Sequence, residues 1–222
     1  MDERDRIGSY EVIVEECKGP NKNKKYVSES WYNADGNCHR LDGPAFTLKD
    51  LKGNVVQSEY YRDGNLHRED GPAYMLNDGT SLTEIWYFNG HLNRIKDGPA
   101  KTVTHLETGI VTEEVWSVMG LEEGWGGPAI ITRSPATGVV TYEHWKKGGR
   151  THRFDGPSLI KRDEHTGQVR CMQWHRDGKL HNENGPASVY YKPDGSVMNA
   201  AYYLDGNRVQ PQGSELTVPE VG

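Results

Sequence analysis

One phrase recurs along this chain, and its recurrence limits what the chain can fold into more than any other feature. The phrase is an aromatic residue, a glycine about four residues on, often His-Arg, and then Asp-Gly-Pro-Ala. It reads "YNADGNCHRLDGPA" from Tyr32, "YRDGNLHREDGPA" from Tyr61 and "WYFNGHLNRIKDGPA" from Trp86. It continues as "WSVMGLEEGWGGPA" from Trp116, "WKKGGRTHRFDGPS" from Trp145 and "WHRDGKLHNENGPA" from Trp174, with a truncated "YYLDGNRVQ" from Tyr202. These are copies 1 to 7. Their first glycines are Gly36, Gly64, Gly90, Gly120, Gly149, Gly178 and Gly206, a period of 26 to 30 residues. A period of that size belongs to repeat architectures, where each unit buries its surface against the next.

Between copies the chain reads as hairpins. A short strand such as "FTLK", "IITR" or "SVYY" is followed by a turn such as "NDGT", "SPATG" or "KPDG". Asx-Gly and Thr-Gly steps supply the positive φ of tight turns. A second strand then runs into the aromatic, as in "SLTEIWYF". No segment of 10 residues has helical apolar periodicity. The expected fold is all-β, an open ribbon of about seven antiparallel hairpin units. A closed ring or barrel is the alternative, because the first and last units are halves that would complete one another. Residues 1–9 are expected to be a frayed, charged end, 10–209 a single repeat domain and 210–222 a polar tail.

Composition agrees with turns and aromatic-bearing strands. Gly numbers 26, Trp and Tyr together 18, and the hydrophobic fraction is 34%. The net charge of −6 argues against non-specific nucleic-acid binding, which depends on phosphate neutralisation. No apolar run approaches the roughly 18 residues of a membrane helix, and no signal peptide opens the sequence. Cys17, Cys38 and Cys171 are odd in number and widely spaced, so neither a disulfide framework nor a zinc site is expected. The expectation is a protein of the cytoplasm.

The repeated phrase resembles the MORN repeat family, and most closely its divergent "W-x-x-x-G-x-L-H-R-x-D-G-P-A" type in bacterial, phage and large-virus proteins. The resemblance covers residues 10 to 209. Units here are longer than the usual MORN unit, and Pro-Ala replaces its second Gly-rich step. The resemblance implies a ribbon of hairpins that scaffolds, self-associates or binds partners, with lipid binding in some members and catalysis only from attached domains. In a virus or phage such a chain would act as an inhibitor of a host defence protein, in the host cytoplasm.

A constellation present in several copies serves a need that recurs in every unit. His39, His67, His152, His181, Asp42, Asp70, Asp97 and Asp155 are therefore read as corner-builders. In that role Asp would accept from nearby amides and Arg would pair with Asp or stack on an aromatic. The alternative is a ligand row of His39, Arg40, His67, Arg68, His152, Arg153 and His181, holding anions such as nucleotides. A hydrolase using His152 and His181 is a second alternative, but G-x-S-x-G, CxxC and P-loop motifs are missing. No catalytic residue, metal or cofactor is expected. The aromatics should pack between successive units. Cys38, Leu66, Leu92, Leu121 and Leu180 fill one apolar place, with Thr151 as its polar exception.

Copies 3 and 4 break the pattern. Copy 3 inserts a residue near Lys96 and has Asn93 for His. Copy 4 loses His, Arg and Asp and gains Glu122, Glu123 and Trp125. A central, exposed Trp beside carboxylates would be an interface anchor, with drift in a tolerant loop as the alternative. Glu122, Glu123, Trp125 and Lys96 are the expected contact residues for a protein partner. Unpaired edge strands would allow a homo-oligomer.

Overall fold

A computed structural model describes residues 10–21, 23–94 and 98–210. The chain divides into two compact units, Met1–Gly109 and Ile110–Gly222. Both are all-β, and no helix of the described residues is long and apolar enough to cross a membrane.

In the first unit the long strands are β1 (Glu11–Lys18), β2 (Lys25–Tyr32), β3 (Phe46–Asp50) and β4 (Val55–Glu59). A two-residue pair follows, β5 (Tyr61–Arg62) with β6 (Asn65–Leu66). Next come β7 (Tyr74–Asn77), β8 (Ser81–Ile85), a second small pair β9 (Tyr87–Phe88) with β10 (His91–Leu92), and β11 (Lys101–His105). The long strands are hydrogen-bonded in the order β1-β2-β3-β4-β7-β8-β11, each antiparallel to the next.

The second unit repeats the plan. Its strands are β12 (Val111–Val115), β13 (Ser117–Val118), β14 (Leu121–Glu122), β15 (Ile130–Arg133), β16 (Val140–His144), β17 (Lys146–Lys147) and β18 (Arg150–Thr151). They continue with β19 (Leu159–Arg162), β20 (Val169–Gln173), β21 (His175–Arg176), β22 (Lys179–Leu180), β23 (Ser188–Tyr191), β24 (Val197–Leu204) and β25 (Asn207–Val209). The sheet order is β12-β15-β16-β19-β20-β23-β24-β25. Strand order never returns on itself, so the sheets are open and the closed-ring alternative is excluded.

Two kinds of turn make the plan work. The hairpin between long strands is closed by an Asx side chain. Asp50 Oδ1 accepts from the amides of Lys52 and Asn54, both at 2.9 Å, and Asp78 Oδ1 accepts from Thr80 and Ser81 at 2.8 and 2.7 Å. A register shift falls near the turn end of four of these hairpins, for example between Leu48 and Lys49. The small pairs turn through two residues of positive φ, such as Asp63 (48°) and Gly64 (77°). That is the backbone of a type I′ turn, which Asp-Gly and Asn-Gly adopt most readily.

The interior is thin. Ala45, Ala73, Ala100, Ala129 and Ala187 of the Gly-Pro-Ala steps are wholly buried, as is Ser158 in the same place. A larger apolar cluster sits late in the second unit, where Trp174 packs on Ile160, Val169, Met172, Val189 and Tyr191.

Candidate binding surface

The repeated phrase folds into a clip. In copy 2 the Tyr60 N–H donates to the Ala73 carbonyl at 2.7 Å, and the Tyr60 carbonyl accepts from the His67 N–H at 2.9 Å. The loop is thus tied at both ends to one aromatic residue. The same two bonds recur at Trp31, Trp86, Trp116, Trp145 and Trp174, at 2.7 to 3.1 Å. Ala suits the site because a larger side chain has no room at zero exposure.

Arginine closes the clip. The guanidinium carbon of Arg40 lies 3.9 Å from the Trp31 ring centroid, Arg68 4.1 Å from Tyr60, Arg94 4.4 Å from Trp86 and Arg153 3.8 Å from Trp145. Each also donates to the Pro carbonyl of its loop, at 3.2 to 3.4 Å. In copy 6 Asn182 does this instead, at 2.9 Å to Pro186. The conserved ring is therefore covered largely by its own loop, a departure from the expected packing between successive units. Trp174, whose loop has Asn for Arg, is the one seated on the apolar cluster.

Histidine joins one copy to the next. Nδ1 of His39 accepts from the Asp63 N–H at 3.0 Å, His67 from Asn89 at 3.2 Å, His152 from Asp177 and His181 from Asp205 at 3.1 Å. All four donors are the positive-φ residues of the following small hairpin. The side chains are only 8 to 11% exposed. The same Nδ1 atoms lie 2.7 to 3.1 Å from the side-chain oxygens of those four hairpin residues, and His181 Nε2 lies 3.2 Å from a Glu183 carboxylate oxygen. Small hairpins also bond to one another: Gly64, Gly90, Gly178 and Gly206 amides donate to the carbonyls of Cys38, Leu66, Thr151 and Leu180 at 2.8 to 2.9 Å.

Aspartate works differently from the expected amide acceptor. Asp70 and Asp155 accept from Nε of Arg68 and Arg153, each at 2.8 Å. The amide-capping carboxylates are those of the long hairpins. In Asp163, the Thr166 amide, the Arg170 guanidinium, the Thr166 hydroxyl and the His165 amide together hold the carboxyl far below its usual range. Asp42 is exposed, and Asp97 and Lys96 lie outside the described residues.

Copy 4 keeps the backbone ties and discards the side chains. The Glu123 N–H still donates to the Trp116 carbonyl at 3.0 Å. Gly124 stands where the other loops carry Arg or Asn. A Cβ on it would lie 2.0 Å from the Gly127 carbonyl oxygen, so the loop has closed over the space the arginine uses elsewhere. Trp125, next to it, points outward and is 80% exposed. Leu121 was expected in the apolar place, but the register Ser117↔Glu122 puts Glu122 there and leaves Leu121 53% exposed at the tip. Met119, at the other side of that tip, has φ of 49° and is 59% exposed. Equivalent tip residues in copy 2 are Asp63 and Asn65.

The next loop adds a residue that the sequence pattern did not single out. Phe154 fills the free position of H-R-x-D-G and is 79% exposed. Trp125 and Phe154 line one open cleft of about 790 Å³ with Glu123, Trp145, Lys147 and Arg153. The His152 and Phe154 rings meet edge-on at 4.5 Å. Glu122 is half-buried beside this cleft, with its carboxylate paired with the Lys146 ammonium.

That ion pair begins a run of polar groups beneath copies 4 to 6. Ser117, Lys146 and His175 occupy the place of Tyr61 and Tyr87. His144 Nε2 lies 2.8 Å from Thr151 Oγ1, and burial, followed by the Lys146 charge, pushes its pKa down to about 4. His175 Nδ1 lies 2.9 Å from the buried Ser158 hydroxyl, and burial lowers its pKa too. Ser158 is fully buried, so the pair satisfies its own hydrogen bonds and offers no exposed nucleophile. Among the described residues no cluster of three His, Cys, Asp or Glu is placed to hold a metal.

The chain matches no protein-family model, and no curated protein matches it.

Proposed function

We propose that the protein is a non-catalytic, MORN-like repeat scaffold that binds a partner protein through the face built by copies 4 and 5. One observation carries the reading. Two aromatic side chains from successive loops, Trp125 and Phe154, stand about four-fifths exposed on the walls of one cleft. Leu121 and Met119 add exposed apolar surface in copy 4. Water gains little from such a cluster, and burying it against a partner is strongly favourable. Trp is also the side chain most enriched among residues that dominate binding energy. Met119 adds a second argument, since a Met at positive φ costs about 1–2 kcal/mol that Asp, Asn or Gly at that turn would reduce.

The test is capture of binding proteins by the immobilised chain, followed by affinity measurement with the protein recovered. Trp125→Ser with Phe154→Ser is expected to weaken binding at least about tenfold while the unfolding curve is unchanged. Undiminished capture by a folded double variant contradicts the proposal.

Anion binding by the His/Arg row has one feature in its favour, a cleft of about 480 Å³ lined by Arg40, Arg62, His67 and Arg68. Asp42, Glu69 and Asp70 line it as well, and Arg40, Arg68 and His67 already serve the clips. Protein binding is therefore the better reading. A thermal shift on adding millimolar nucleotide, lost in Arg62→Ala, would reverse that preference.

A further inference from the structure

Strand β1 is bonded to β2 on one side and has no partner on the other among the described residues. It is the longest free edge, and Val12, Ile13 and Val14 are exposed on it, Val14 at 62%. The direction of its polar groups follows from β2. Trp31 donates to Ala45 and accepts from His39, so its N–H and C=O turn away from β1. Val12 is the residue opposite Trp31. In an antiparallel ladder opposed residues are either both turned toward each other or both turned away. Val12, Val14, Glu16 and Lys18 therefore direct their free amides and carbonyls outward. The far edge is shorter. Ala201 is bonded to Ala187, and β24 passes to β25 at Tyr202, which leaves only Ala200 and the bulged Met198 turned outward.

We propose that β1 is a self-association edge whose occupant is β1 of a second copy of this chain, in antiparallel two-fold pairing centred on Val14. The same ladder rule admits only registers in which the two opposed residue numbers share parity. Centring on Ile13 sets Glu11 against Glu15 of the second copy, and centring on Glu15 sets that carboxylate against itself. Centring on Val14 opposes no two carboxylates directly. It sets Val14 against Val14, Ile13 against Glu15, Val12 against Glu16, Glu11 against Cys17 and Tyr10 against Lys18. Centring on Val12 or Cys17 also avoids carboxylate pairs but overlaps far fewer residues of β1, so like-charge repulsion and length of overlap together select Val14, where the valines supply apolar contact. Two-fold pairing uses up both β1 edges and stops at a dimer.

Two measurements test this on the full chain. The wild type is expected to show the mass of two chains in sedimentation equilibrium at tens of micromolar, and Val14→Lys the mass of one with an unchanged far-ultraviolet circular dichroism spectrum and a melting temperature that no longer rises with protein concentration. A wild type that stays monomeric overturns the proposal, and so does a mass that grows past two, which is the mark of head-to-tail growth onto β24. The register is read separately. Glu11 and Cys17 face one another at a non-hydrogen-bonded site, where Cα atoms approach to about 4.5 Å, within disulfide reach. Glu11→Cys should give a covalent dimer on mild oxidation, and adding Cys17→Ser should abolish it. A covalent dimer that forms without Cys17, or none in Glu11→Cys, overturns the register.

Discussion

The loops of copies 4 and 5 share their two main-chain ties and differ in the path between them: Gly126 has φ of 74°, and the Gly127 carbonyl fills the space beside residue 124 that Arg153 uses in copy 5. Both are tied to their aromatic by the same two bonds, at Trp116 and Trp145. In copy 5 the guanidinium of Arg153 covers the Trp145 ring and pairs with Asp155, and His152 reaches the following hairpin. In copy 4 Gly124 removes the cover, Glu123 replaces the histidine, and Trp125 faces solvent. The comparison separates two requirements. Two main-chain ties and a buried Ala or Ser are common to all six complete loops, whereas the Arg, His and Asp side chains strengthen the corner and can be dispensed with. The position between the Arg and Asp places points outward in both loops, so Trp125 and Phe154 are exposed whether or not the clip side chains are present, and copy 4 adds exposed Leu121 and Met119 at its tip.

Several substitutions would break or sharpen that contrast. The largest effect is expected at Gly124. Gly124→Arg should not restore the clip, because the first side-chain atom meets the Gly127 carbonyl. A loss of about 2–4 kcal/mol in urea unfolding is expected, and a neutral result would show that the loop opens freely. Removing the clip in copy 5 should cost less. Arg153→Ala forfeits the ring contact, the Pro157 bond and the partly exposed Asp155 pair, about 1–2 kcal/mol together, with partner affinity changed less than by Trp125→Ser.

Acidification provides a probe of the polar interior. His144 ionises in the folded chain only near pH 4, against about 6.5 when unfolded. The unfolded chain therefore binds the proton first, and stability should be full above about pH 6.5 and fall as pH drops toward 4. His144→Gln should flatten that part of the stability profile. The smallest effect is expected at Met119. Met119→Gly relieves the positive φ and should stabilise by about 1 kcal/mol or less while weakening binding, and a destabilised variant would show that Met119 packs rather than presents.

Much of the architecture can be read from the repeat itself. Gly-containing turns between short strands mark the hairpins, while the choice between an open array and a closed ring needed the strand order. Local spacing does not show what the histidine binds. Its partner is the Asp or Asn of the Asx-Gly turn in the next copy, 22 to 25 residues away, met through both main-chain amide and side-chain oxygen, and nothing within one copy links the two. Phe154 was legible in principle. The free position of H-R-x-D-G holds Leu41, Glu69, Trp125, Phe154 and Glu183, and two large aromatics in successive copies are a signal once the copies are aligned from Pro-Ala backward. Residue type alone assigns Leu121 to the interior place, whereas the place two residues after the glycine, held by Cys38, Leu66, Leu92, Thr151 and Leu180, falls on Glu122, as the β13–β14 register has it. The interior ion pair explains why a carboxylate is accepted: Lys146, from the next copy, neutralises it.

The division of labour between clip and surface is tested most directly by exchanging one for the other. Residues 123–127, Glu-Gly-Trp-Gly-Gly, are replaced by His-Arg-Glu-Asp-Gly as in residues 67–71, leaving Glu122 and its lysine in place. Affinity for the captured partner and the urea midpoint are then measured on the same preparation. Replacing Gly126 by Asp as well removes the positive-φ step that brings the Gly127 carbonyl against residue 124, so the whole loop is expected to take the path of residues 67–71, with an unfolding midpoint equal to or above that of the parent and binding reduced at least about tenfold. Binding retained by the folded exchange variant would contradict the assignment of copy 4 as the functional face.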